Sequence, residues 1–217
     1  MTDLVIVGAG GFARETAAAA VAGSWRVLGF VDDDPALHGT YRSGRPILGG
    51  VDSLSGMPDA AVVVCVGNPR DYTARQRIVR RLGLAAERYA TVVHPTAVIG
   101  AGSVVGPGSV LLAGTVLTAD VTVGSHVAVM PQAVLTHDDR VGDYATIASG
   151  VRLGGGAVLD RGAYVGAGAL VREGVTVGAW SLIGMGSVVL HDVPPGEVWA
   201  GNPARLLRKA FVEELTP

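Results

Sequence analysis

Val134-Leu135-Thr136-His137-Asp138-Asp139, Arg140-Val141-Gly142-Asp143-Tyr144-Ala145 and Thr146-Ile147-Ala148-Ser149-Gly150-Val151 are three blocks of six whose second residue is aliphatic. The sixth residue is small or Val in two of them and Asp139 in the other. The same count runs without insertion from Val92 to Val193. All seventeen second positions in that stretch are Val, Ile or Leu, and Asp139 is the single sixth position that is neither small nor Val. A period this strict predicts a parallel β-helix, in which three hexapeptides make one coil and stacked coils bury a continuous aliphatic column. At ~4.8 Å per coil the prism is ~25 Å tall. Glycine recurs at the third position, for example at Gly100, Gly106, Gly142 and Gly154, where the corner is expected to need a permissive backbone. A closed prism has flat outer faces, so an active site is expected between subunits or against a neighbouring domain.

About ninety residues precede the repeat and a short tail follows, dividing the 217-residue chain at 1–90, 91–203 and 204–217. The formal net charge is −2 with no basic run, so no nucleic-acid partner is expected. Cys65, the only cysteine, lies in the apolar run Ala60 to Val66 and reads as a buried thiol. A reducing cytoplasm is the expected setting. No stretch reaches the ~18 apolar residues of a membrane span, and the N-terminus runs into a strand without a basic leader, so no membrane association is expected.

The front segment reads as strand (Leu4 to Val7), glycine turn (Gly8-Ala9-Gly10-Gly11-Phe12-Ala13) and alanine-rich helix (Arg14 to Ala22). Gly8, Gly10 and Ala13 fit G-x-G-x-x-G/A, whose glycines let a phosphate approach the N–H groups at a helix N-terminus. A second strand, Arg26 to Val31, ends in Asp32-Asp33-Asp34, where a carboxylate can meet a ribose or base. A Gly/Pro-rich loop, a third strand (Ala60 to Val66), Gly67-Asn68-Pro69 and a helix from about Asp71 to Leu82 complete the segment. This is half of a dinucleotide fold, a short parallel sheet with room for one nucleotide, which favours a nucleotide-linked substrate over NAD(P). Arg75, Arg77, Arg80 and Arg81 read as a solvated helix face, with Arg70 the arginine expected near a diphosphate.

On so regular a scaffold the polar exceptions carry information. His137 falls on a corner and projects outward, where packing does not require an imidazole, and Asp138 is its neighbour. Its ordinary pKa lies near neutrality and a carboxylate can orient it, so it is the candidate general base. Gly155 follows eighteen residues later, one coil above, and offers a bare backbone N–H to a developing oxyanion.

The hexapeptide repeat, the His137-Asp138 pair, Asp192-Val193-Pro194-Pro195-Gly196 and Gly201-Asn202-Pro203-Ala204 resemble left-handed β-helix acyltransferases. With Gly8-Ala9-Gly10-Gly11 and Phe30-Val31-Asp32-Asp33 in front, the chain is similar to nucleotide-sugar acetyltransferases of the sialic acid O-acetyltransferase and bacillosamine-pathway N-acetyltransferase type. The resemblance implies a homotrimer with three sites at subunit boundaries, using acetyl-CoA as co-substrate and no metal. It implies His137 as base, Asp138 as its partner, Gly155, Thr146 and Ala167 along the coenzyme, and Gly10, Gly11, Phe12, Asp32, Asp33 and Gly67 around the nucleotide sugar. N-acetylation of a 4-amino-dideoxy type sugar is the leading reading. O-acetylation of a sugar hydroxyl and a non-catalytic nucleotide-sugar scaffold are the alternatives. Relatives often carry histidine at the positions of Phe12 and Thr146, and asparagine or an acid at Thr136, which points to a different sugar or acceptor. No two of the histidines are five residues apart, the spacing a β-helix zinc site uses. Trp199, Leu206, Leu207, Phe211 and Leu215 suggest a short C-terminal helix capping the prism.

Overall fold

The computed structural model describes residues 1–210. Its first domain is a parallel sheet in the order β2-β1-β5, built from β1 (Asp3–Val7), β2 (Arg26–Val31) and β5 (Ala61–Val64). A two-stranded hairpin, β3 (Tyr41–Arg42) and β4 (Arg45–Pro46), lies between β2 and β5 in sequence. The chain leaves β1 through α1 (Gly11–Ala22) to reach β2 on one side and later enters β5 on the other. The crevice at the carboxyl ends of β1 and β5 is therefore the switch point where such sheets bind ligands. Helix α1 turns Ala13, Ala17 and Ala20 inward, and these small residues let it pack closely on Val92, Val110 and Leu112 of the repeat domain. One apolar core thus runs across both domains.

From Val92 onward each hexapeptide contributes a two-residue strand to one of three parallel sheets, with partners eighteen residues apart. The first face runs from Val98–Ile99 to Val188–Val189, the second from Val104–Val105 to Thr176–Val177, and the third from Val92–Val93 to Leu182–Ile183. Leu111, Leu117, Leu135, Ile147, Leu159 and Ile183 are fully buried and form the aliphatic column that the period predicts.

The glycine rows do something other than expected. Third-position glycines do not have positive φ; they are bare because the next coil passes too close. A Cβ on Gly142 would stand 2.6 Å from Arg161 N, and one on Gly166 2.6 Å from Met185 N. The left-handed residue, where a block has one, is the fifth, as at Gly102, Gly156 and Asp138. Three bulky residues, His126, Tyr144 and Trp180, also adopt positive φ, and all lie on the corner between the second and third faces. There the first domain covers them. His126 stacks on Tyr144 with ring centroids 5.2 Å apart, Tyr89 meets His126 edge-on at 4.6 Å, and Tyr72 stacks on Trp180 while its hydroxyl donates to Trp180 O (2.8 Å). Aromatic burial offsets the backbone cost that such residues carry in this region.

The described part of the tail is not the helix expected there. Ala204–Lys209 is a strand, paired antiparallel with Glu197–Gly201, which itself extends the third face. Leu206 and Leu207 are consequently exposed strand residues, while Phe211 and Leu215 lie outside the described residues. The hairpin is held by Glu197, whose carboxylate accepts from Trp199 Nε1 (2.8 Å) and Lys209 Nζ (2.6 Å).

Candidate active site

His137 and Asp138 occupy the corner between the first and second faces. Both are well exposed, and His137 Nδ1 donates to Asp138 Oδ2 at 2.8 Å. A carboxylate only accepts, so this bond fixes the proton on Nδ1 and leaves the Nε2 lone pair free. Asp138 reaches back to its neighbour because it takes the left-handed corner conformation (φ 64), which aspartate tolerates. One coil above, the imidazole lies over Gly155: a Cβ there would stand 2.5 Å from both Nε2 and Cε1. The Gly155 N–H donates no hydrogen bond among the described residues.

Asp139, the outlier at the sixth position, is fully buried and accepts from Thr136 N (2.7 Å) and Ala157 N (2.9 Å). Burial pushes its carboxyl up to about 6 against the pull of those two bonds.

The residues named for the nucleotide sugar gather at the switch-point crevice. Gly10 caps α1 without a side-chain bond, and a Cβ on Gly10 or Gly11 would meet nothing within 4 Å, so this helix N-terminus is open to an anion. Asp32 shapes the glycine turn by accepting from Ala9 N (2.9 Å) and Asp34 N (3.0 Å). Asp33 accepts from Val51 N (3.0 Å) and pairs with Arg81. Those two contacts, the backbone bond first, hold its carboxyl below the usual range. Asp32 and Asp33 line a small groove with Gly8 and Val66.

A second cavity, of about 150 Å³, joins the two domains. It brings Phe12 and Gly67 together with Thr146 and Ala167, and adds Arg75, Met130 and Tyr164, which the sequence reading did not single out. Arg75 is not part of a solvated helix face. It is buried, and it donates to Val66 O (3.2 Å), Tyr144 O (2.8 Å), Ala145 O (3.0 Å) and Thr146 Oγ1 (2.8 Å). Burial lowers its pKa to about 10. The signal was its place on α2 (Ala74–Leu82), where it shares the inward stripe of Val79 and Leu82. Thr146 Oγ1 thus accepts from Arg75. Arg70 is not brought to the glycine turn; it lines a separate cleft with Tyr72, Leu182, Val198 and Arg208.

Within one chain these pieces are not assembled. His137, Asp138 and Gly155 stand on the corner between the first and second faces, the first domain covers the next corner, and Ala167 sits on the third. Among the described residues no group of three or more His, Cys, Asp or Glu is placed to hold a metal, and no helix is long and apolar enough to cross a membrane.

Solved structures share this fold over nearly the whole chain. The acetyltransferase domain of PglB from Neisseria gonorrhoeae is 28% identical, with a TM-score of 0.85 over 95% of this chain and 100% of that one. The same domain has been solved in complex with acetyl coenzyme A. PerB from Caulobacter crescentus, in complex with CoA and GDP-perosamine, is 28% identical with a TM-score of 0.76, covering 96% of this chain and 98% of that one. WeeI from Acinetobacter baumannii shares the fold at 24% identity and a TM-score of 0.68, covering 95% of this chain and 100% of that one. A comparison with curated sequences finds no match. By fold and likeness the chain is a β-helix acyltransferase. Its first domain, over residues 3–82, matches the model of the PglD N-terminal domain.

Proposed function

We propose that the protein transfers the acetyl group of acetyl-CoA to the amino group of a nucleotide-linked sugar, working as a homotrimer. The observation that carries this reading is the His137–Asp138 pair lying over Gly155 on a corner that its own first domain leaves bare. Packing prisms about a three-fold axis would bring that corner against a neighbour's coenzyme and nucleotide-sugar residues. His137 Nε2 takes a proton from the amine as the nitrogen adds to the thioester carbonyl. The Asp138 carboxylate holds Nδ1–H and stabilises the imidazolium. The Gly155 N–H meets the oxyanion, and collapse expels the coenzyme A thiolate, which takes the proton back from His137. The open N-terminus of α1 receives the diphosphate, and Phe12 and Gly67 line the way from there to the interdomain cavity. An amine acceptor is favoured over a hydroxyl because one relative with the same architecture is named a GDP-perosamine N-acetyl transferase.

The test is thiol release from acetyl-CoA across UDP-, GDP- and dTDP-linked 4-amino sugars. At least one should be a substrate, and His137→Ala should lose at least ~100-fold in turnover while keeping its oligomeric state. An unchanged rate in His137→Ala overturns the assignment of the base. Turnover of sugar hydroxyls alone overturns the acceptor.

A further inference from the structure

The carboxylate at position 139 is more than the fold requires. Two serines at sixth positions elsewhere in the prism each accept one backbone N–H of the next coil: Ser103 Oγ from Val121 N (3.1 Å) and Ser109 Oγ from Val127 N (2.9 Å). Asp139 does the same with Oδ1, accepting from Ala157 N at 2.9 Å. Its second oxygen adds a bond those serines lack, from Thr136 N at 2.7 Å. Thr136 in turn donates its hydroxyl to Leu153 O (2.9 Å). The donors at Thr136 and Ala157 bracket the working residues, because Thr136 opens the turn holding His137 and Asp138 while Ala157 closes the turn holding Gly155. A fully buried carboxylate costs several kcal/mol of lost hydration. A serine would have met the structural need without that cost, so the second bond is what the carboxylate contributes.

We propose that Asp139 is the positioning residue of this site, clasping the His137 turn to the Gly155 turn and so setting the imidazole against the Gly155 N–H. The inference rests on His137 being the base. Asp139 itself touches no reacting atom; it acts through the two turns.

The test is Asp139→Ser, which restores the arrangement of Ser103 and Ser109, keeps the bond to Ala157 and releases Thr136. With acetyl-CoA and the amino sugar that turns over, kcat should fall by ~10-fold or more, the scale of a small misplacement of a reacting group, with both KM values within about two-fold of the parent. Nitrogen NMR of His137 in the substrate-free protein should show the Nδ1–H tautomer losing its dominance. Should Asp139→Ser fail to fold, Asp139→Asn, with one acceptor oxygen in the same volume, carries the same expectation. An unchanged kcat and tautomer, in a protein whose His137→Ala variant is inactive, overturns the positioning role and leaves the base in place. A fully active His137→Ala variant overturns the reading beneath it.

Discussion

Two histidines eleven residues apart sit on adjacent corners of the prism, each above or below a glycine, and meet opposite fates. His137 stands on the bare corner, its ring over Gly155 and its Nδ1 on a carboxylate. His126 is enclosed between Tyr89 and Tyr144, its Nδ1 buried without a partner, and burial, helped by Arg75, lowers its pKa to about 4. One imidazole is wet, paired and free at Nε2; the other is held neutral as a packing element. The repeat supplies the corner, and what docks on the corner decides the chemistry.

The comparison can be broken by making the same change under each ring. Gly108→Ala, beneath His126, forces a Cβ to within 2.3 Å of Nδ1 at φ 73, and the ring cannot move between two tyrosines. Overpacking and the left-handed penalty together should cost about 3 kcal/mol of unfolding free energy by denaturant titration. Gly155→Ala has ordinary φ, and the exposed His137 ring can swing aside. The melting temperature should hold while kcat falls by ~100-fold, about 2.7 kcal/mol of barrier. Equal effects on stability in the two variants would dissolve the contrast. The smallest effect concerns pH. The folded pKa of His126 lies below its unfolded value of 6.5, so the unfolded chain binds more protons between pH 6.5 and about 4. Its contribution to stability is full above pH 6.5 and is lost as pH falls toward 4, on the order of 2 kcal/mol. His126→Asn, which tolerates the left-handed corner, should flatten that slope in thermal melts taken across this window.

Much of this was legible because a covalent count of six dictates which side chains face inward. The aliphatic column, the strand Arg26–Val31, and the outward corner of His137 follow from spacing alone. Arg75 did not, since a run of five arginines between Arg70 and Arg81 looks solvated until the helix is seen docked on Tyr144, Ala145 and Thr146. Its partners lie about seventy residues away, and no local pattern encodes which guanidinium the domain interface will enclose. The glycine rows were misassigned for a related reason. A bare position can answer to its own φ or to a neighbouring coil, and only the stacked structure separates Gly142 from Gly102. Asp139 was visible as an exception, but its partner at Ala157 becomes apparent only when the coil closes.

The eighteen-residue step between stacked strands gives this chain two reading frames. Removing or adding one block of six would keep every aliphatic residue in its column. Made between Asp139 and Gly155, it would also rotate everything above the change by one face, parting His137 from Gly155 and Asp139 from Ala157. A change of eighteen made outside that coil preserves the column, the faces and both pairs. Stability in this molecule is counted modulo six and catalysis modulo eighteen, so a length change can leave a sound prism with a dismantled active site.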